Sequence, residues 1–211
     1  MFLAQFLTVA IIHFLAVASP GPDFAIVTRN SLVYTRKIGI YTALGVGVAI
    51  GVHVAYSLLG IAFVISQSII LFNVIKYVGA AYLIYIGVKS LLAKKQTDTN
   101  AELQFEKTKK DISLFTAVRT GFLTNVLNPK ATLFFLALFT QVISPTTPKF
   151  IQLLYGVEMM TVTFVWFTLV SLLFSNQAVK AKLNKFQHYL ERVTGAILIG
   201  LGFKVAFSVN E

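Results

Sequence analysis

The sequence predicts an all-α integral membrane protein: six transmembrane helices, arranged as two inverted three-helix repeats, with the first helix of each half broken at proline. Three observations predict it. Charged residues make up 12% of the 211 residues and hydrophobic ones 56%, with a mean hydropathy of +0.77; soluble domains carry about 25% charged residues. The charges are confined to gaps, because 1–22, 38–75 and 131–148 contain no Asp, Glu, Lys or Arg. Finally, Ser19-Pro20 and Asn128-Pro129 interrupt apolar runs at corresponding places in the two halves.

About 20 apolar residues cross a hydrocarbon core of about 30 Å. That ruler gives segments at 2–33 (broken at 19–22), 39–64, 68–91, 112–142 (broken at 128–129), 150–175 and 190–208. The first has no basic stretch before its apolar run, so it is expected to be a retained helix and not a cleaved signal. Between the third and fourth lies the polar stretch 93–111, expected to be a solvated cytoplasmic connector. It divides the chain into a first repeat over 1–92 and a second over 112–211.

Lysine and arginine set the orientation. Arg29, Arg36 and Lys37 follow the first segment, Lys94, Lys95, Lys107, Lys109 and Lys110 the third, and Lys180, Lys182 and Lys185 the fifth. The opposite side holds only Lys76, Lys149 and Lys204. The positive-inside rule then puts both termini outside the cytoplasm, in the inner (plasma) membrane. The net charge of +10 is accordingly a topological signal, and no nucleic-acid partner is expected. Absence of cysteine excludes disulfides and thiolate metal sites.

The halves resemble each other. "VGAAYLIYIGVK" (78–89) matches "VTGAILIGLGFK" (193–204) at Val78/Val193, Ala81/Ala196, Leu83/Leu198, Ile84/Ile199, Gly87/Gly202 and Lys89/Lys204. Three spans is an odd number, so the second half must enter the membrane upside down. Inverted repeats with helices interrupted in matching positions are a transporter architecture, with substrate held near the breaks.

The breaks supply the candidate site. At Ser19-Pro20-Gly21-Pro22-Asp23 the prolines remove backbone donors and clash with the preceding turn. In hydrocarbon the freed groups need partners, so the carbonyls of 16–19 become available to a ligand or side chain. Asp23 stands near the start of the continuing helix, where the dipole favours a carboxylate; the plainer reading is a kink that Asp23 caps. The second break offers Asn125, Asn128, Pro129 and Lys130. A lysine at a helix start is at the wrong end of the dipole, so Lys130 either snorkels to an interface or meets Asp23 across a pseudo-twofold axis.

Two further titratable residues lie within apolar spans. His53 is the only acidic or basic side chain in 38–75, beside a small-residue stripe of Ala43, Gly47, Gly51 and Ala55 that lets another helix approach closely. Glu158 is the lone charge in 150–179, and intramembrane carboxylates often belong to ion or proton pathways. Either serves substrate binding or coupling, or else a helix-to-helix hydrogen bond. No GxxxxGK[ST], HExxH or CxxC is present, so ATP hydrolysis, other catalysis and a bound cofactor or metal are not expected.

"SPGPDFAIVTRNSLVYTRKIGIYTALGVGVAIG" followed by "GFLTNVLNPKATLFFLALF" resembles the LysE/RhtB family, the lysine and homoserine/threonine exporters. The resemblance covers nearly the whole chain. One departure is Thr35, where that family usually has a glycine before its basic pair. Membership implies six helices and export of amino acids or close derivatives from the cytoplasm, coupled to the proton gradient. The expected partners are thus an amino-acid substrate and the lipid bilayer; a homo-oligomer stays open, since the stripe at 43–55 would serve a dimer as well as the internal bundle. The rival readings are transport of another small solute such as a metal cation, and a membrane scaffold without transport.

Overall fold

A proline after a polar turn can start a helix but cannot sit inside one without breaking it, and the two predicted interruptions organise the chain accordingly. The computed structural model describes residues 2–67, 69–92, 112–141, 147–174, 189, 192–200, 202–203 and 206–207. Among them the order is α1 (Phe2–Ala18), α2 (Pro22–Val33), α3 (Arg36–Gln67), α4 (Ile69–Leu91), α5 (Leu114–Val126), α6 (Pro129–Gln141) and α7 (Lys149–Phe174), then a helical stretch over 192–200. The described residues contain no strand. The predicted connector at 93–111 lies outside them, as do parts of the sixth segment.

Pro22 is the first residue of α2 and Pro129 the first of α6, positions where the missing N–H has no intrahelical partner anyway. The chain bends by 56° between α1 and α2 and by 58° between α5 and α6. Each new helix takes its first bond from the residue just before its proline, Ala25 N to Gly21 O at 3.0 Å and Thr132 N to Asn128 O at 3.0 Å.

Among the described residues two helices are long and apolar enough to cross a membrane, Arg36–Leu59 and Lys149–Leu173, and up to four spans result if each bent pair is one. Broad apolar faces look outward, including Leu7, Ile11, Val48, Val157 and Val165. Apolar surface of this kind suits lipid rather than water. α3 outruns the predicted 39–64 at both ends, beginning at Arg36 and ending at Gln67. The hydropathy ruler stops at the charges, whereas Thr35 caps the turn beyond them, its Oγ1 accepting from Ile38 N at 3.3 Å. A threonine at the position where glycine was expected therefore serves as the helix cap.

α3 is the central strut, packed against α5 and α7. Its predicted stripe faces α7 only in part: Gly47 lies against Phe164 and the Met160 carbonyl, Gly51 against the Met160 sulfur, and Ala55 is exposed. The closest crossing is elsewhere. A Cβ on Gly45 would collide with the Val118 carbonyl, and one on Gly121 with the Thr42 carbonyl, so α3 and α5 touch backbone to backbone. Two apolar clusters flank this strut. One gathers Val9, Ile12, Phe135, Leu138, Tyr155 and Met159, the other Val27, Ala43, Val46, Phe167 and Val170.

Gly121→Ala is expected to destabilise the protein by about 1–3 kcal/mol or more, because neither backbone can yield without shifting a helix. Gly200→Ala, with nothing within 4 Å of the added methyl, is the matched control and should leave the unfolding midpoint in detergent within about a degree or two. Equal midpoints for the two variants would show that the crossing is not tight.

Candidate functional site

Each helix break leaves backbone carbonyls and amides without intrahelical partners, and the second break supplies donors to the carbonyls and the carboxylate of the first. Lys130, the second residue of α6, extends across to the end of α1, where Nζ donates to Ser19 O at 3.1 Å and Ala16 O at 3.3 Å. A cation at a helix C-terminus meets the negative end of the dipole, worth about 0.3–2 kcal/mol, and each charged hydrogen bond adds about 1.5–3 kcal/mol. An isolated lysine at the bilayer centre costs about 3 kcal/mol or considerably more, so these contacts decide whether it can stay. The lysine at the wrong end of its own helix is at the right end of another.

The return contact comes from Asp23, second residue of α2. Its Oδ2 accepts from Asn128 Nδ2 at 2.9 Å and from Asn125 Nδ2 at 3.1 Å. Asn128 also caps α6 through Oδ1, which accepts from Lys130 N at 3.0 Å. One asparagine thus starts its own helix and holds the carboxylate of the other break.

Between the breaks lies a cavity of about 450 Å³, counted to its open mouth. Ser19, Gly21, Asp23, Asn125, Asn128 and Lys130 line its polar end; Phe24, Ile50, Phe134, Phe135 and Phe167 contribute apolar wall. Asp23 Oδ1 is buried with no hydrogen-bond partner among the described residues. The site therefore brings a carboxylate and an ammonium group to one side and aromatic surface to the other, complementary to a small zwitterion with a modest side chain.

Of the residues singled out from the sequence, Ser19, Gly21, Asp23, Asn125, Asn128 and Lys130 converge on this cavity. Pro20 and Pro22 shape the first break and Pro129 the second without lining it. His53 is buried just behind the wall, its ring stacked on Phe135 at 5.4 Å. Glu158 does not reach the cavity; it is half-buried on α7, with Oε2 lacking a hydrogen-bond partner among the described residues. The expectations missed His13 and Thr163, which face each other across the cavity wall, His13 Nε2 to Thr163 Oγ1 at 3.3 Å. The available signal was a histidine near the end of α1, and in the structure it pairs with a threonine.

A cavity with a polar end at paired helix breaks, inside a multi-pass helical membrane protein, is an arrangement found in membrane transporters. The comparisons give its family. The model of the LysE type translocator matches residues 14–209, and the chain belongs to that family. Relatives include an uncharacterized membrane protein of Bacillus subtilis, YrhP, 34% identical over 90% of this chain and 92% of its own length. A threonine efflux protein of Escherichia coli is 31% identical over 98% of this chain and 99% of its own. No solved structure matches. As a translocator the protein is a transporter and not an enzyme, as the missing catalytic motifs led one to expect.

Asn128→Ala removes a helix cap, about 1 kcal/mol, and one of two donors to a buried carboxylate, about 1–3 kcal/mol. The unfolding free energy in detergent should fall by about 2–4 kcal/mol in total, and a loss below the 1 kcal/mol of the cap alone would mean that Asp23 does not depend on it.

Proposed function

We propose that the protein is a secondary exporter that carries amino acids or close derivatives out of the cytoplasm, coupled to the proton gradient, and that the cavity between the breaks holds the substrate. The observation that carries this reading is the exchange of polar groups between the breaks around one cavity. Asp23 Oδ1, without a hydrogen-bond partner among the described residues, receives the substrate ammonium. Lys130 and Asn128 receive its carboxylate, the lysine leaving the α1 carbonyls as it does so. A threonine efflux protein among the relatives makes threonine the first substrate to try. The aromatic wall limits the side chain to small groups.

The exchange mechanism follows from the inverted-repeat reading, with repeats at 1–92 and 112–211 rocking about the site. Its support is geometric as well as sequential. The bends, 56° and 58°, are alike. Gly87 packs on Gly195 O and Ile199, while Gly202 packs on Ala80 O and Ile84. The register that aligns 78–89 with 193–204 converts the first contact set into the second, as a twofold axis between the halves requires. In this reading α4 and the 192–200 stretch complete six spans, and the basic residues at 29–37 face the cytoplasm. A metal-cation cargo would need gathered donors, and among the described residues no group of three His, Asp or Glu side chains is placed to hold an ion. A scaffold role leaves the matched breaks without a purpose.

Purified protein in liposomes loaded with labelled threonine tests the function. Efflux should exceed that of empty liposomes, and Asp23→Asn and Lys130→Ala should each lower it at least about tenfold, the equivalent of 1.4 kcal/mol. Efflux untouched by both substitutions would remove the site while leaving transport in place; no efflux of threonine or other small amino acids would remove the function.

A further inference from the structure

His53 lies outside the cavity, yet it touches both halves of the second break. The ring is buried at 1% exposure and stacked on Phe135. Its Nε2 sits 3.1 Å from the backbone oxygen of Asn125, the last part of α5 before the bend. Its Nδ1 sits 2.8 Å from the Tyr56 hydroxyl. That hydroxyl donates to the backbone oxygen of Thr132, in the first turn of α6 beyond the bend, at 3.2 Å. Through one ring and one phenol, α3 therefore ties down α5 and α6 on either side of the 58° angle.

The proton count of this bridge is informative. Carbonyl oxygens only accept, so Nε2 must donate to Asn125 O and Tyr56 must spend its single proton on Thr132 O. The contact between Nδ1 and the Tyr56 oxygen then needs a proton on Nδ1 as well. Three hydrogen bonds need three protons, and a neutral imidazole with a phenol has two. All three are made when the ring carries its second proton.

We propose that His53 is the binding site of the coupling proton, and that its protonation sets the angle of the second break. This rests on the exporter reading above and deepens it. With the ring protonated, both half-helices are tied to α3. When the ring loses a proton, one tie is lost: either Nε2 releases Asn125, or Tyr56 turns to donate to Nδ1 and releases Thr132. The first of these reaches the substrate site directly, since Asn125 also holds Asp23 through its side-chain amide at 3.1 Å. Proton and substrate thereby act on the same asparagine from opposite sides.

The surroundings suit a ring that is charged in one state and neutral in the other. Asp23 of α2 is the charged group that faces it. Tyr56 faces it from its own helix. Among the described residues no other titratable group bonds the ring: α5 presents a backbone oxygen with Arg119 exposed, α6 presents Phe135 with Lys130 turned to the α1 carbonyls, and Tyr155 of α7 bonds Gln5. Glu158 of α7, Lys76 of α4 and His13, whose own ring contact is with Phe135, make no bond to it. A buried cation is costly without acceptors and a countercharge. Two acceptors and Asp23 make the protonated state accessible without making it permanent.

The chain has histidines only at 13, 53 and 188, so ring nitrogens can be observed individually. The full-length protein is labelled with ¹⁵N-histidine, placed in lipid nanodiscs and titrated from about pH 5 to 8, the range in which histidine changes charge; the spectrum of His53→Gln identifies the signals. The expected result is a His53 ring with both nitrogens protonated at the acid end and one signal lost as pH rises. A ring with one bare nitrogen throughout, or two protonated nitrogens throughout, overturns the proposal. Adding threonine, if the efflux assay shows it to be carried, must also move the midpoint, because linkage is reciprocal; an unmoved midpoint overturns the coupling. The titration requires no substrate, so it stands or falls separately from the exporter reading.

Discussion

Backbone hydrogen bonding in a medium without water is the constraint behind this structure. Two prolines and a glycine open α1–α2, and an asparagine and a proline open α5–α6. Either opening alone would expose carbonyls and amides to hydrocarbon at several kcal/mol each. The protein answers by placing the openings together, with donors of the second set against acceptors of the first: Lys130 donates to the carbonyls that end α1, and Asn125 and Asn128 donate to the carboxylate that begins α2. The polar end of the cavity is a consequence of that arrangement, since the groups that close the breaks also converge on the space between them.

The rest of the bundle serves to hold the openings in register. α3 approaches α5 closely enough at Gly45 and Gly121 that no side chain fits between them, and it approaches α7 at Gly47 and Gly51. Carried on the same helix, His53 and Tyr56 then reach Asn125 and Thr132, one residue on each side of the second bend. A rigid strut that bears a titratable ring against a bend is a means of converting a proton into an angle, and the shared Asn125 extends that effect to Asp23.

Much of this was legible in the sequence, for identifiable reasons. Proline has one strong effect on a helix, so Pro20, Pro22 and Pro129 located both breaks, and the freed carbonyls of 16–19 followed from them. Asp23, Asn125, Asn128 and Lys130 were recognisable because polar residues are rare in such apolar runs. Their pairing was not legible. Lys130 looked misplaced at a helix start, and only the three-dimensional arrangement shows that it serves the end of α1. The tightest crossing was missed because the stripe at 43–55 follows a four-residue step, whereas Gly45 lies off that stripe and the backbone it meets, at Val118, is far away in sequence. His13 escaped for a similar reason, since a lone histidine in an apolar run acquires meaning only from what packs against it.

Mutual support between the two breaks is measured most directly by a double-mutant cycle on unfolding in detergent, with Asp23→Ala, Asn125→Ala and the pair. Hydrogen bonds across membrane helices couple by about 0.6 kcal/mol on average and up to about 1.7, and a charged acceptor belongs at the upper end. A coupling of about 1–2 kcal/mol is therefore predicted. Additivity within about 0.3–0.5 kcal/mol would mean that the two openings are stabilised independently, contradicting the reciprocal exchange from which the cavity and its chemistry were derived.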